Sequence, residues 1–326
     1  MADVLFVIDP LASINPRADS TYVMILEALR RGHRPYYATL DGLAIQGGDA
    51  WAHVKPVGPV SPEPGARLVD EGDASLRELA SFAVVFMRKD PPVDEHFITA
   101  TWILDRAKNK TLVLNDPTAL REHNEKLSML EFPALIPDTR LLRDAGDIRS
   151  ALAEMGGKMI IKPVLGYGGR EILQAVAGDP NLSTLIEIAT ADGRRWTVAQ
   201  QFLPAAKQGD KRILMVEGEP IGAVLRVPAQ GELRDNFHAG GSPHSTDFSP
   251  RDREICAAVG PWLRAQGLFF AGLDVIGDYL TEINVTSPTG MQEINRLGGL
   301  EGDATMEAKF WAGVEARLAG AGPAKQ

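Results

Sequence analysis

The residues best suited to chemistry lie near the C-terminus, in a short run of alternating polar and apolar side chains. Glu282 and Asn284 are two positions apart in a predicted strand, so they share one face while Ile283 points to the core. Asp274 lies on the preceding predicted strand. Two carboxylates and an amide oxygen form the all-oxygen set that Mg²⁺ prefers. We interpret the run as a metal site, the alternative being the polar, solvent-facing side of a hairpin.

This metal site requires a particular register in the hairpin. Local turn preference favours a two-residue turn at Gly277-Asp278, which with regular pairing would place Asp274 opposite Thr281. Glu282 would then lie on the other face of the sheet from Asp274. An odd-length loop, or a β-bulge with the same effect, would place the two carboxylates opposite each other. Because one metal needs both on one face, we predict the odd loop or the bulge.

A lysine and a glycine-rich loop form a second candidate site. Lys162 ends a predicted apolar strand, and Gly166, Gly168 and Gly169 follow shortly after it. Glycines let backbone N–H groups approach phosphate oxygens, and a lysine directed into the same cleft can bind those phosphates. Taken singly, each feature has a structural alternative, a lysine at a strand edge or a tight turn. Together they are compatible with either a phosphate site or a structural loop.

Several common catalytic sites are absent from the sequence. It contains no G-x-S-x-G, no H-E-x-x-H and no Gly-Lys-Ser/Thr of a Walker loop. The glycine loop is not a dinucleotide motif, since Glu171 stands at the last glycine position. The six histidines show no ligand spacing. Cys256 lies on the apolar side of a predicted helix, where cysteine behaves as a small hydrophobe, and we do not expect it to act as a nucleophile.

Composition excludes several classes of protein. The 326 residues carry a formal net charge of -9, which argues against nucleic-acid binding as the main function. No apolar run reaches the ~18–20 residues of a membrane span, and the N-terminus has no basic region typical of a signal peptide. A single cysteine excludes a disulfide scaffold and fits a reducing, cytoplasmic setting. We therefore expect a cytoplasmic protein with no membrane or nucleic-acid partner.

Strands alternate with helices in the first part of the chain, which predicts a parallel α/β sheet. The predicted strands are residues 4–8, 35–40, 82–87 and 111–114, and the predicted helices are residues 19–31 and 98–108. Residues 42–76 are rich in glycine, proline and acidic residues and show only weak strand signals.

The second part of the chain shows a different pattern, in which most predicted strands follow one another as hairpins. We predict a helix at residues 124–130, strands at 158–162 and 171–176 around the glycine loop, and further strands at 197–202, 211–216 and 221–227. A helix beginning with Ser249-Pro250, a final hairpin at residues 271–276 and 280–285, and a closing helix at 304–318 complete the set.

Several strings occur along the chain in a characteristic order. They are Asp9-Pro10 through Asp19-Ser20, residues 87–92 (Met-Arg-Lys-Asp-Pro-Pro), Asn124-Glu-Lys126, Lys162-Pro163 with the glycine loop, Gly209-Asp210-Lys-Arg212, and Asp274 with residues 281–288 (Thr-Glu-Ile-Asn-Val-Thr-Ser-Pro). Together they resemble the bacterial glutathione synthetase family of the ATP-grasp superfamily. The resemblance covers residues 4–318, and residues 87–92 and 281–288 are its specific strings.

The resemblance implies an α/β fold in three parts. A substrate-side, parallel α/β domain of the pre-ATP-grasp type would cover residues 1–120. A two-part ATP-grasp fold with antiparallel sheets would follow, with the lid-bearing small domain at residues 121–203 and the catalytic domain at 204–320. Residues 321–326 would be a frayed tail. We expect two glycine-rich segments, residues 164–170 and 228–245, to be mobile lids over the cleft between the last two domains.

The resemblance also implies an activity, an ATP-dependent ligation. The carboxylate of γ-glutamylcysteine would be phosphorylated to an acyl phosphate, and the amine of glycine would attack it to give glutathione, ADP and phosphate. ATP and Mg²⁺ would be the cofactors, with Mn²⁺ as a substitute for Mg²⁺. The resemblance further implies a homo-oligomer.

Site residues follow from the resemblance by position. For the nucleotide it implies Lys126, Lys162, Gly166, Gly168, Gly169, Gln200, Gln201, Leu203 and Asp210. For the metal it implies Asp274, Glu282 and Asn284; for catalysis, Arg212 and Arg226; and for substrate, Arg88, Arg226, Asn284, Ser287 and Thr289.

The chain departs from the family pattern in a segment on the substrate side. It carries Ser242 where the family usually has an arginine, and Arg170-Glu171 where small or apolar residues are more common. These differences keep open an alternative, an ATP-grasp ligase for another small peptide or amino acid. A nucleotide-binding regulator without turnover is a third hypothesis, and Glu282, Lys126 and Lys162 argue against it.

Overall fold

The structure is a computed structural model that describes residues 1–229 and 241–320. Over these ranges the chain forms a mixed sheet followed by two antiparallel sheets, which confirms the predicted α/β class. The predicted tail and residues 230–240 of the second predicted lid lie outside the described residues. No helix of the described ranges is long and apolar enough to cross a membrane.

The N-terminal part is an eight-stranded sheet with helices on both faces. Its strands are β1 (Asp3–Val7), β2 (Arg34–Ala38), β3 (Leu43–Gln46), β4 (Asp49–Pro59), β5 (Leu68–Asp70), β6 (Ser75–Glu78), β7 (Val84–Met87) and β8 (Leu112–Leu114), and its helices are α1 (Ser20–Arg30), α2 (Glu95–Asp105) and α3 (Pro117–Glu122). β1 pairs in parallel with β2 and β7, and β7 with β8. The parallel centre of the sheet therefore agrees with the prediction.

The alternation of side chains along β1 explains why it is buried on both faces. Phe6 packs in one core cluster with Ile25 of α1, whereas Leu5 packs in another with Phe97 of α2. Asp19 begins α1 as a cap, since its carboxylate accepts a hydrogen bond from the backbone N–H of Thr21 at 2.6 Å. Alternate residues of β1 therefore hold α1 against one face of the sheet and α2 against the other.

Four strands, β3 to β6, lie within residues 43–78, where the sequence showed only weak signals. β4 is eleven residues long and pairs with β2, β3, β5 and β6. Its inward residues Ala50, Ala52 and Val54 are small, and Pro56 and Gly58 follow them. Small side chains, proline and glycine weaken the alternation of polar and apolar residues that marks a strand. Pairing with the neighbouring strands therefore determines that β4 forms.

The second part is a small antiparallel sheet with a core of its own. It comprises β9 (Thr139–Leu142), α4 (Ala145–Glu154), β10 (Lys158–Pro163), β11 (Leu173–Val176), α5 (Leu182–Thr190) and β12 (Thr197–Gln201), with sheet order β11-β10-β12-β9. Ile148, Ile161, Ile186 and Ala199 belong to one buried cluster. The sequence predicted β10, β11 and β12 but not β9, α4 or α5.

The third part is a larger antiparallel sheet covered by helices. Its elements are β13 (Asp210–Val216), β14 (Glu219–Val227), β15 (Ser242–Ser245), α6 (Pro250–Ala265), β16 (Phe270–Ile276), β17 (Tyr279–Asn284), α7 (Met291–Gly298) and α8 (Met306–Gly320), with sheet order β15-β14-β13-β16-β17. α6 begins as predicted, with a capping box between Ser249 and Asp252. β15 and α7 were not predicted.

The final hairpin combines a two-residue turn with a β-bulge. Ile276 pairs with Tyr279 across Gly277-Asp278, and Gly277 has a φ of +59°. The register then shifts between Asp274 and Val275, so that Asp274 pairs with Glu282. The predicted face is confirmed through the bulge rather than through an odd loop. The hairpin can therefore keep the favoured two-residue turn and still place Asp274 and Glu282 on one face, because the bulge takes up one extra residue.

The predicted helix at residues 124–130 is wrong over its first half. The side-chain oxygen of Asn124 accepts hydrogen bonds from the backbone N–H groups of Lys126, at 2.9 Å, and Leu127, at 3.2 Å. Such an Asx turn competes with the helical ladder. Only a short 3-10 helix, Ser128–Glu131, follows it. Lys126 therefore lies in a turn and not in the helix that the sequence predicted.

The N-terminal and third parts share their cores and are joined by one buried amide. Phe86 of β7 packs against Phe310 and Trp311 of α8, with ring centroids 5.6 and 5.4 Å apart. The side chain of Asn115 donates to the carbonyls of Phe270, at 2.8 Å, and Val285, at 2.7 Å, and accepts from the N–H of Phe270 at 2.8 Å. One side chain therefore bridges β8 to β16 and to the end of β17.

Replacing Asn115 by alanine should destabilise the protein by about 2–4 kcal/mol, because the variant leaves buried backbone groups unsatisfied. Urea unfolding followed by circular dichroism measures the change. Asn181→Ala is the matched control, since Asn181 is exposed and its side chain makes no capping bond. Equal midpoints for the two variants would contradict the bridging role.

Candidate active site

A cleft of about 550 Å³ lies between the small sheet and the third part. β10 and β12 form one wall, and β13, β16 and β17 form the other. All residues predicted for the site line this cleft except Arg88: they are Lys126, Lys162, Gly166, Gly168, Gly169, Gln200, Gln201, Leu203, Asp210, Arg212, Arg226, Asp274, Glu282, Asn284, Ser287 and Thr289. Residues from distant strings of the sequence therefore meet in one place.

The oxygen ligands predicted for a metal lie side by side. Asp274 and Glu282 are paired residues of β16 and β17, and the side-chain amide of Asn284 donates to Asp274 Oδ2 at 3.1 Å. The described residues include no group of three or more His, Cys, Asp or Glu side chains that could hold a metal. Two carboxylates and an amide oxygen nevertheless fit a hard divalent cation that keeps waters and phosphate oxygens as further ligands.

Two arginines surround Asp274. Arg212 binds both of its carboxylate oxygens, one of them from Nη2 at 2.9 Å. Arg226 lies 2.9 Å from Oδ2 and also pairs with Asp210. Burial alone would raise the pKa of Asp274, but the charges of Arg212 and Arg226 overcome it and hold the pKa well below its usual range. Asp274 therefore stays ionised at neutral pH.

Two lysines surround Glu282 in the same way. Lys162 Nζ lies 3.2 Å and Lys126 Nζ 3.9 Å from Glu282 Oε1. Burial raises the pKa of Glu282, and the charges of Lys126 and Lys162 outweigh that effect, so the pKa is lowered. Both lysines are buried except for the surface that they present to the cleft. Four cations thus line the floor of the cleft, and each lies against one of the carboxylates of Asp210, Asp274 and Glu282.

The glycine loop bends over these lysines. Lys126 Nζ donates to the carbonyl of Gly166, and the amide of Asn124 donates to the carbonyl of Val164 at 3.2 Å. A Cβ on Gly166 would approach Pro163 Cγ to 2.7 Å, and Gly168 has a φ of +61°. A side chain at position 166 would therefore displace Pro163, and the positive φ of Gly168 favours glycine. The loop brings backbone groups close to the lysines.

The cleft also has apolar walls and a polar edge. Ile160, Phe202 and Ile276 line it, together with Gln201 and Leu203 at the end of β12. The Gln200 side chain donates to Thr139 Oγ1 at 2.9 Å, which fixes its orientation. Apolar walls with backbone groups at one edge can accept a flat heteroaromatic ring.

Arg88 lies behind the cleft rather than in its wall. Its Nε donates to Thr21 Oγ1 at 3.1 Å and its Nη2 to the carbonyl of Pro288 at 3.2 Å. Its guanidinium also lies 5.4 Å from the centroid of the Phe270 ring. Burial lowers the pKa of Arg88. Arg88 is thus buried against Pro288, which does line the cleft, and its contact with substrate stays a prediction.

Two residues that the sequence did not single out also line the cleft. Glu125 accepts three hydrogen bonds from Val285 and Thr286, and burial raises the pKa of its carboxyl. Asp90 accepts a hydrogen bond from the Ser287 hydroxyl. Both lie inside strings that carry the family resemblance, directly beside Lys126 and Lys89, and that adjacency was the only signal that could have identified them.

Comparison with known proteins accounts for nearly the whole chain. The family model for the N-terminal domain of prokaryotic glutathione synthetase matches residues 2–121, and that for its ATP-grasp domain matches residues 125–299. Glutathione synthetase of Rhodopseudomonas palustris is 43% identical over 311 residues, covering 95% of this chain and 97% of the relative. That of Xanthomonas campestris pv. campestris is 45% identical over 308 residues, covering 91% and 94%.

Solved structures share the fold at low identity. The crystal structure of D-cycloserine synthetase DcsG has a TM-score of 0.67 and 13% identity, covering 97% of this chain and 99% of its own. A RimK domain ATP-grasp protein from Sphaerobacter thermophilus has a TM-score of 0.59 and 18% identity, covering 95% and 99%. These likenesses establish the fold, and the family models and relatives establish more: the chain belongs to the prokaryotic glutathione synthetase family, with an ATP-grasp fold.

Proposed function

We propose that this protein is an ATP-dependent ligase that joins γ-glutamylcysteine and glycine to give glutathione, ADP and phosphate. The observation that carries the proposal is the match to glutathione synthetases over more than nine-tenths of the chain. The cleft supports it, because four cations meet Asp210, Asp274 and Glu282 there. That floor is suited to a nucleoside triphosphate bound with a divalent cation.

The first step is transfer of the γ-phosphoryl group to the carboxylate of γ-glutamylcysteine. Lys126 and Lys162 bind the phosphates, and the loop at Gly166, Gly168 and Gly169 covers them and excludes water. Arg212 and Arg226 neutralise the transferring phosphoryl group and the substrate carboxylate. Fixed cations lower the barrier here, because charge spreads over the phosphoryl oxygens in the transition state.

The remaining contacts orient the substrates. Gln200, Gln201, Leu203 and Asp210 bind the nucleoside, and Asn284, Ser287 and Thr289 bind the substrate, with Arg88 supporting Pro288 from behind. Asp274, Glu282 and Asn284 would hold Mg²⁺, or Mn²⁺ in its place, which would supply further positive charge at the phosphates. The amine of glycine then attacks the acyl carbon, forming the C–N bond as phosphate leaves.

The proposal extends to the setting of the enzyme. We place it in the cytoplasm as a homo-oligomer, as the family resemblance implies. Light scattering of the purified protein measures its mass in solution, and a mass near the 35.2 kDa of one chain would contradict the oligomer.

An assay with all substrates tests the activity. The protein is incubated with ATP, Mg²⁺, γ-glutamylcysteine and glycine, and ADP and the tripeptide are measured together. Equal amounts of both support the proposal. ADP that forms only with a different acceptor or carboxylate would select the alternative ligase, and ATP binding without turnover would contradict both ligases.

Glu282→Gln should reduce metal-dependent turnover by at least about 100-fold, because the neutral amide removes a metal ligand's charge at the phosphates. Glutamine has the same shape and still accepts from Lys162, so the fold should persist at the assay temperature, but the buried charges of Lys126 and Lys162 lose their partner and the melting temperature should fall. Turnover is measured against Mg²⁺ concentration, and melting temperature reports the fold. Glu122→Gln, at an exposed position, is the control. Full activity of Glu282→Gln would refute the metal assignment.

Cys256 should be dispensable for turnover, because the proposed reaction uses no protein nucleophile. Burial raises the pKa of its thiol to about 12, so little thiolate exists at neutral pH. Cys256→Ala should keep its activity within about twofold of wild type, and the native thiol should react with a disulfide reagent at least about 100-fold more slowly than the unfolded chain. Rapid labelling that inactivates the enzyme would be the contrary result.

A further inference from the structure

The segment at residues 285–289, which we call the 285–289 segment, connects β17 to α7 and carries Ser287 and Thr289. Seven polar groups along it are bound by side chains from other parts of the fold. Asn115 binds the carbonyl of Val285, Asp90 the hydroxyl of Ser287, Arg88 the carbonyl of Pro288 and Arg212 the carbonyl of Thr289. The segment belongs to no helix or strand and lacks their regular backbone hydrogen bonds, so these side-chain contacts hold its conformation.

Glu125 makes the largest number of these contacts. Its Oε1 accepts hydrogen bonds from the N–H groups of Val285 and Thr286, both at 3.2 Å, and from Thr286 Oγ1 at 2.8 Å. Its backbone carbonyl accepts from the N–H of Ile283 at 2.9 Å. Glu125 therefore holds the chain on both sides of Asn284.

The sequence neighbour of Glu125 is part of the proposed phosphate site. Lys126 binds the Gly166 carbonyl and lies 3.9 Å from Glu282. One dipeptide thus contacts both the glycine loop and the 285–289 segment. A bulky apolar residue could fill the volume of Glu125, but only a side chain with an acceptor oxygen can satisfy three converging donors.

We propose that Glu125 is a positioning residue that holds Asn284, Thr286 and Ser287 in place for the γ-glutamylcysteine substrate. It acts through Thr286 and the backbone of the 285–289 segment, without touching the reacting atoms. This inference rests on the proposed function, since Asn284 and Ser287 are substrate contacts only if that function holds.

Three variants and one control test the proposal kinetically. Glu125→Ala should lower kcat/KM for γ-glutamylcysteine by at least about tenfold, mainly through KM, while the Kd for ATP measured by calorimetry changes by less than about threefold. Glu125→Gln should recover most of the loss, because its amide oxygen still accepts. Thr286→Val should add little in the Glu125→Ala background. Glu131→Ala, at an exposed nearby position, is the control.

Several results would overturn the proposal. A lower melting temperature with unchanged kcat/KM would make Glu125 merely structural, and an equal loss of ATP affinity would place its effect at the nucleotide. Additive effects of the Glu125 and Thr286 substitutions would exclude action through Thr286.

Hydrogen exchange separates this proposal from the proposed function. In the protein without substrates, Glu125→Ala should speed exchange of the Val285 and Thr286 amides by at least about tenfold. If wild-type protein forms no glutathione, the proposed function fails and the substrate role of Glu125 fails with it. Unchanged exchange with an active wild type would overturn the positioning role alone.

Discussion

The mutual neutralisation of carboxylates and cations at the cleft floor is the interaction on which the arrangement of this protein depends. Asp274 is buried between Arg212 and Arg226, and Glu282 lies against Lys162. A buried charge without its partner costs several kcal/mol. The strands that carry these groups, β10, β13, β14, β16 and β17, must therefore lie in the registers that bring the charges together. The positions of the charged groups in the cleft and the registers of the strands therefore depend on each other.

The bulge in the final hairpin shows how this constraint is met. Gly277 allows the tight turn that the sequence prefers, and the register shift after Asp274 then restores Asp274 and Glu282 to one face. Thr281 lies in the shifted region, and its hydroxyl donates to the carbonyl of Asp274 at 3.1 Å. The irregular position is thus stabilised by a hydrogen bond of its own.

The three parts of the chain are not equally bound to one another. The N-terminal and third parts share core clusters, as in the contacts of Phe86 with Phe310, and Asn115 bridges them. The small sheet has a separate cluster around Ile148 and Ile161. The small sheet therefore packs mainly within itself and faces the third part across the cleft. The third part carries Asp274, Glu282 and the two arginines, and the small sheet carries Lys162 and the glycine loop.

The sequence by itself determined the features that depend on short-range periodicity and residue type. The two-residue spacing of Glu282 and Asn284 places them on one face in any strand, and the glycines after Lys162 need a loop. Nearly all residues that the family resemblance named for the site line the cleft. Arg88 is the exception, because its guanidinium is buried and donates to the Pro288 carbonyl.

Only the tertiary structure decided which distant groups meet. The choice between an odd loop and a bulge, the strand β4, and the Asx turn at Asn124 all depend on partners far away in sequence or on competing local hydrogen bonds. The contacts of Glu125 with Thr286 join residues 161 positions apart. The pattern of side chains predicts which face of a strand is buried. Which strands become its neighbours depends on the free energy of long-range pairing, and a local sequence pattern does not determine that free energy.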